Sequence, residues 1–189
     1  MIDFVMLVRA TCLNLGIELI LSPSEVVYMP RKGVAVAGYF DEKARILAVG
    51  AGRSDWIEIL AHEFAHLEQY VAGEFLIVGP DPYDDLEDWY VGKDLPQERL
   101  DECFALAMAC EHDAERRAVG TLSRWGLCHD IKDYIRNANA YVLKHLYAKR
   151  HRHWPVSPEW GEHLSNEEIT PLDEVVLTRS LERLIKSAQ

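Results

Sequence analysis

The stretch EILAHEFAHLEQYVAG, residues 58–73, places two histidines four positions apart, with a glutamate directly after the first. At 100° per residue, His62 and His66 lie about 40° apart around a helix and one turn apart along it. Both imidazoles can therefore reach one metal ion. Glu63 between them is the residue that metal-assisted hydrolysis needs, because a carboxylate beside a metal-bound water can take its proton.

The surroundings of this stretch predict the helix and its buried side. Ser54 is a favourable N-cap and Gly73 a favourable end, so we predict a helix from Ser54 to about Val71. Apolar residues at helical spacing lie opposite the histidines and form the predicted core stripe: Leu60, Phe64, Leu67 and Val71. A surface helix with two solvated histidines and no metal would show the same pattern, so that alternative stays open.

A catalytic zinc usually takes three protein ligands and leaves one position for water. A second predicted helix, from about Gln97 to Leu122, carries Glu111 and Glu115 in the middle of its apolar stripe. Carboxylates on a core stripe are costly unless they are paired with cations or bound to a metal. The alternative is a structural salt bridge to an arginine: Arg9, Arg116 or Arg117.

HEFAH (62–66), followed 45 residues later by EHDAER (111–116), resembles the gluzincin branch of the zincin metallopeptidases. In that family a glutamate on a later helix completes the HExxH site. The resemblance covers about residues 35–120 and is carried by the motifs. The segment 134–154 is also faintly similar to small uncharacterised bacterial and phage proteins that have the same motif.

Carried over by position, the resemblance implies that His62, His66 and Glu111 ligate one Zn²⁺ per chain and that Glu63 is the general base. Glu115 takes the position of the residue that orients a histidine ligand. Many such families have Asp there and this chain has Glu. The reverse assignment, with Glu115 as the ligand and Glu111 outside it, therefore stays open.

The resemblance also suggests how a substrate would be held. In these folds a strand near the metal helix has a free edge to which an extended peptide can add. The run Ala44 to Gly50 is the candidate, with Gly50 and Gly52 allowing close backbone approach, although a plain edge strand explains it equally well. Tyr141 and His145 share one face of a third predicted helix, from about Ile131 to Lys149, and are candidate oxyanion donors or ordinary core residues.

The other elements predict an α+β, zincin-like fold in one domain, residues 1–189. Residues 2–15 are predicted to be a helix ending at Gly16, followed by short strands in which 33–40 and 44–50 form a hairpin. Residues 1–73 thus hold the first helix, a small mixed or antiparallel sheet and the HExxH helix, and 95–189 a helical part. The acidic segment 79–96 is predicted to be an irregular, solvated loop or a lid, and Thr170 to cap a last helix.

Composition narrows the function classes. The chain has 20 basic and 31 acidic residues and a net charge of −11, which argues against a nucleic-acid partner. No apolar run approaches the roughly 20 residues that span a bilayer, and the N-terminus lacks the pattern of a signal peptide. The four cysteines show no CxxC spacing, so we expect reduced thiols in a cytoplasmic protein.

The sequence therefore predicts a zinc-dependent peptidase that acts on a narrow protein or peptide target, since the chain is small. The alternative from a different class is a metal-stabilised binding or regulatory protein that has this scaffold and no turnover. Glu63 separates the two, because its carboxylate is needed only for hydrolysis.

Overall fold

The computed structural model describes residues 1–30, 33–74 and 82–154, and these residues form an α+β, mostly helical fold, as predicted. No helix among them is both long enough and apolar enough to cross a membrane. The elements in chain order are α1 (Ile2–Leu15), β1 (Glu18–Ser22), β2 (Val27–Tyr28), β3 (Ala35–Val36), β4 (Gly38–Asp41), β5 (Ile46–Gly50), α2 (Trp56–Ala72), α3 (Pro82–Tyr90), α4 (Gln97–Trp125) and α5 (Ile131–His151).

The chain divides into two compact units. The first contains Met1–Glu74 and Arg116–Ile131, and the second contains Phe75–Glu115 and Lys132–Gln189. The first unit holds α1, both sheets and α2, and the second holds α3 and nearly all of α5. Helix α4 contributes to both units.

The three-stranded sheet of the first unit has the order β1–β5–β4. Strand β4 pairs antiparallel with β5, which confirms a hairpin there, and β1 pairs parallel with β5 from Glu18↔Ile46 to Ser22↔Gly50. The first strand of the predicted hairpin, residues 33–40, is divided in two. Its earlier part forms β3, which pairs with β2 and not with β5. The prediction that the run 44–50 has a free edge was wrong, because β1 takes the second side of β5.

Gly50, the last residue of β5, and Gly52 are packed against the protein's own backbone. A Cβ at Gly50 would lie 2.4 Å from the carbonyl oxygen of Glu25, and one at Gly52 would lie 2.5 Å from that of Pro23. The close approach expected here is therefore made by the 23–25 loop and not by a substrate. This contact fixes the segment that leads into α2.

Helix α1 has the predicted bounds and ends at Gly16, which adopts the left-handed conformation with φ 64°. Arg45, in the turn between β4 and β5, donates hydrogen bonds from its guanidinium group to the carbonyls of Leu15 and Gly16. These carbonyls lie at the helix end, where no intrahelical donor is available. The hairpin turn is thereby tied to the end of α1.

Helix α2 begins slightly later than predicted and ends where predicted. Its N-cap position is Asp55 and not Ser54, and Gly73 ends it in the left-handed conformation. The Asp55 carboxylate does not cap the helix, because Arg53 binds both of its oxygens at 2.7 and 2.8 Å. Val71 was wrongly placed in the core stripe: it is 57% exposed, so the buried stripe stops before the last turn.

The acidic segment contains a helix that the sequence analysis missed. Helix α3 buries Pro82, Leu86 and Trp89, which follow the spacing i, i+4, i+7. Its high density of acidic residues hid this short apolar pattern. Arg152 also holds the end of α3, since its guanidinium group donates to the carbonyls of Trp89 and Lys93.

Helices α4 and α5 confirm the two later predicted helices and run three and two residues further than expected. The predicted apolar stripe of α4 is buried: Leu100, Phe104, Ala107, Met108, Ala118 and Leu122. All four cysteines are free thiols, as expected. The predicted final helix, capped by Thr170, and nearly all of the loop before it lie outside the described residues.

Candidate metal centre

The two histidines of α2 present their Nε2 atoms to the same point. These atoms lie 3.1 Å apart, and the two rings are perpendicular, with an interplanar angle of 88°. Two nitrogens that each lie roughly 2.0–2.1 Å from a tetrahedral zinc ion are about 3.3 Å apart. The spacing of His62 and His66 therefore fits two ligands of one ion.

Glu111 on α4 is the third candidate donor. One carboxylate oxygen of Glu111 and one ring nitrogen each of His62 and His66 all lie within 4.8 Å of one another. These three residues form a group that could hold a metal ion. Among the described residues this group includes Glu111 and does not include Glu115.

Glu63 is buried, with 8% of its surface exposed, although it directly follows a metal-site histidine. A Cβ at Gly38 of β4 would lie 3.1 Å from both Cγ and Oε1 of Glu63, and 2.6 Å from Cγ2 of Ile59. The backbone of β4 can approach Glu63 this closely only because residue 38 has no side chain. The sequence analysis missed Gly38, whose signal was a glycine inside a strand pattern.

Glu115 is 6% exposed and accepts a hydrogen bond from the hydroxyl of Tyr134 at 2.6 Å. Tyr134 lies on α5, near the start of that helix. Arg117 was considered as a salt-bridge partner for Glu115. It forms an ion pair with Glu74, which does not support that alternative. The role of Glu115 in orienting a histidine stays a prediction.

His145 on α5 is buried, with 8% of its surface exposed. Burial lowers its pKa, and the negative charge of the Glu111 carboxylate opposes this shift in part. Tyr141 lies one turn earlier on α5 and is half-buried. The centroid of its ring is 5.6 Å from the centroid of the His145 ring. Trp154 packs edge-on against His145, with the two ring centroids 4.8 Å apart, a contact that the sequence analysis did not predict.

A further polar residue of α2, Gln69, lies three positions after His66 and contacts its imidazole. Its Oε1 lies 2.9 Å from Nδ1 of His66. Residues three apart on a helix are neighbours, so this contact is made within α2 itself.

The chain matches no protein-family profile, no curated protein and no solved structure with which it was compared. The site therefore carries the evidence for the function of this protein. The site consists of two adjacent imidazole nitrogens and the carboxylate of Glu111. A second carboxylate, that of Glu63, is buried on the same helix as the histidines.

Proposed function

We propose that this protein is a zinc-dependent peptidase with a zincin-like fold. In this proposal His62, His66 and Glu111 hold one Zn²⁺ per chain and Glu63 is the general base. The observation that carries the proposal is the group of three ligand atoms within 4.8 Å of one another, with Glu63 buried on the same helix.

The donor set supports zinc over magnesium and calcium. Two imidazoles and one carboxylate are the ligands of many catalytic zinc sites, whereas magnesium and calcium prefer sites made only of oxygen donors. Three protein ligands also leave a coordination position for water and substrate. When bound, the ion polarises the scissile carbonyl and lowers the pKa of water.

Glu63 then performs the proton transfers. Its carboxylate removes a proton from the attacking water and passes that proton to the amine that leaves when the C–N bond breaks. Its burial supports this role, because the surrounding protein excludes bulk water that would otherwise compete for the carboxylate.

The substrate would bind as an extended peptide along β4. This strand pairs with β5 on one side and, in the described part of the chain, with no strand on the other. Its Gly38 lies so near Glu63 that a Cβ there would be 3.1 Å from Oε1 of Glu63, so a peptide added to the free edge would lie near the general base. The narrow target expected from the small chain stays part of this proposal.

Tyr141 and His145 are the proposed donors to the oxyanion that forms when water attacks the carbonyl. The support for His145 is its burial and its electrostatic interaction with Glu111. Tyr141 is its ring neighbour. Glu115, held by Tyr134, would stabilise the histidine ligands from outside the coordination shell.

The decisive experiment is the metal content of purified protein, measured by elemental analysis after exposure to zinc. We expect about one zinc per wild-type chain and its loss in His62→Ala and in Glu111→Ala. Glu115→Ala is the matched control, because it removes a buried carboxylate one turn further along α4. Retention of zinc by Glu111→Ala together with its loss from Glu115→Ala would reverse the ligand assignment, and a wild type that binds no zinc would overturn the proposal.

A further inference from the structure

Gln69 is a polar residue in an apolar setting. It lies in the last part of α2 and is only 3% exposed, in contrast to Val71 two positions later. A buried amide must find hydrogen-bond partners within the protein, because water is not available to it. One of its partners is the imidazole of His66, through the contact of Oε1 with Nδ1 at 2.9 Å.

We propose that Gln69 is a positioning residue that fixes the tautomer of His66 for metal binding. A carbonyl oxygen can only accept a hydrogen bond, so Nδ1 of His66 must carry the proton. In the neutral imidazole the lone pair is then on Nε2. This is the atom that lies 3.1 Å from Nε2 of His62.

The orientation of the Gln69 amide decides which tautomer of His66 is favoured. If the amide were turned around, its NH₂ group would donate to Nδ1 and the proton of His66 would move to Nε2, which could then not bind a metal. A solvated histidine can exchange between the two forms with water as the partner, whereas Nδ1 of His66 faces a buried acceptor. The ligand atom is thus prepared before an ion arrives.

This arrangement also differs from the one predicted by sequence. There Glu115 on α4 was the residue that orients a histidine ligand. The contact between Gln69 and His66 is instead made within one helix, at the spacing i, i+3. Helix α2 itself therefore supplies one partner that orients His66.

The inference rests on the metal-binding part of the proposed function, and its test has one arm that needs no metal. In metal-free protein, the ¹⁵N chemical shifts of the His66 ring distinguish protonated Nδ1 from protonated Nε2. We expect the Nδ1–H form in the wild type and in Gln69→Glu, which keeps an acceptor of the same length. Gln69→Met keeps the length without the acceptor, and we expect it to lose the preference.

The second arm measures zinc affinity by competition with a chelator. Loss of an outer partner of a histidine ligand weakens metal binding about 10- to 100-fold, which is the loss expected for Gln69→Met. Gln69→Glu should stay within a few-fold of the wild type. Gln97→Met is the matched control, since Gln97 bonds the exposed Asp101 at the start of α4 and contacts no ligand.

The outcomes separate this inference from the proposed function. A wild type that binds no zinc overturns the peptidase, while the ¹⁵N shifts of the metal-free protein still test the tautomer. Protonated Nε2 in the wild type, or a Gln69→Met protein with unchanged shifts and affinity, would overturn the role of Gln69 alone. If Gln69→Met does not fold, the wild-type shifts and Gln69→Glu still decide the question.

Discussion

Gly38 of β4 lies so close to Glu63 of α2 that there is little room for a side chain at position 38. A Cβ at residue 38 would lie 3.1 Å from the Oε1 atom of Glu63 and closer still, at 2.6 Å, to Cγ2 of Ile59. The strand that would bind the substrate and the proposed general base are thereby set at a fixed distance.

Gly38→Ala should impair turnover while leaving zinc binding intact. The added methyl group must displace Ile59 or the Glu63 side chain, and small displacements of a catalytic group cost on the order of 10- to 100-fold in rate. The measurement is kcat/KM beside zinc content. Gly120→Ala is the control, because a Cβ at Gly120 meets no atom within 4 Å. Equal loss of activity in both variants would show that Gly38 has no special relationship to Glu63.

Glu63→Gln should bind zinc like the wild type and lose at least about 100-fold in kcat, because the amide cannot accept a proton. The measurement is peptide hydrolysis under single-turnover conditions, with zinc content recorded for each sample. Glu68→Gln removes a carboxylate from the same helix and should retain activity. A fully active Glu63→Gln protein would contradict the mechanism, and a zinc-loaded wild type without any turnover would favour the binding-protein alternative.

Tyr134→Phe should lower the free energy of unfolding by about 1.5–3 kcal/mol, the range for a hydrogen bond to a charged group. The variant removes the hydroxyl that donates to the buried Glu115 carboxylate at 2.6 Å. Urea denaturation of the metal-free protein measures this change. Tyr28→Phe is the control, because Tyr28 is well exposed, and comparable destabilisation by both variants would argue against a specific contact.

The ion pair of Arg53 and Asp55 should contribute stability only above acidic pH. Hydrogen bonds from Arg53 lower the pKa of Asp55, so this stability is complete above the unfolded pKa of about 3.9 and is lost as the pH falls through the lower folded value. Both side chains are more than a third exposed, which limits the contribution to about 1 kcal/mol or less.

Urea denaturation of the wild type and Asp55→Asn at a series of pH values checks this expectation. The difference between the two proteins should be present at pH 6 and shrink in acid. Arg53→Met should show the same pH dependence as Asp55→Asn. A difference that is constant down to pH 2, about two pH units below the unfolded pKa, would contradict the assignment.

Cys128 should react slowly with alkylating reagents. Burial, with a further contribution from the hydrogen bond to Glu58, raises the pKa of its thiol to about 11. Little thiolate is then present at pH 8, so carboxymethylation should be about 100-fold slower than for a free cysteine. Mass spectrometry of the Cys128 peptide gives the rate, and Glu58→Gln should increase it. A rate equal to that of a free thiol would contradict this environment.

Local patterns predicted most of the helices. The 3.6-residue repeat of apolar side chains located α1, α2, α4 and α5, and the glycines at 16 and 73 marked the ends of α1 and α2. Such signals are local because a helix forms from contacts between residues close in the chain. The same repeat is present in α3 at Pro82, Leu86 and Trp89, but the surrounding acidic residues outweighed it. Burial of these three residues on one side favours the helix in spite of the charges.

The sequence by itself determined that His62 and His66 lie one turn apart with Glu63 between them, since helix geometry alone sets that spacing. Only the tertiary structure decided that β5 is central, that β4 contacts Glu63 through Gly38, and that the Glu111 carboxylate lies with the two imidazoles. Strand order and contacts between helices far apart in the chain arise from packing of the whole fold, for which a single sequence carries no local signal.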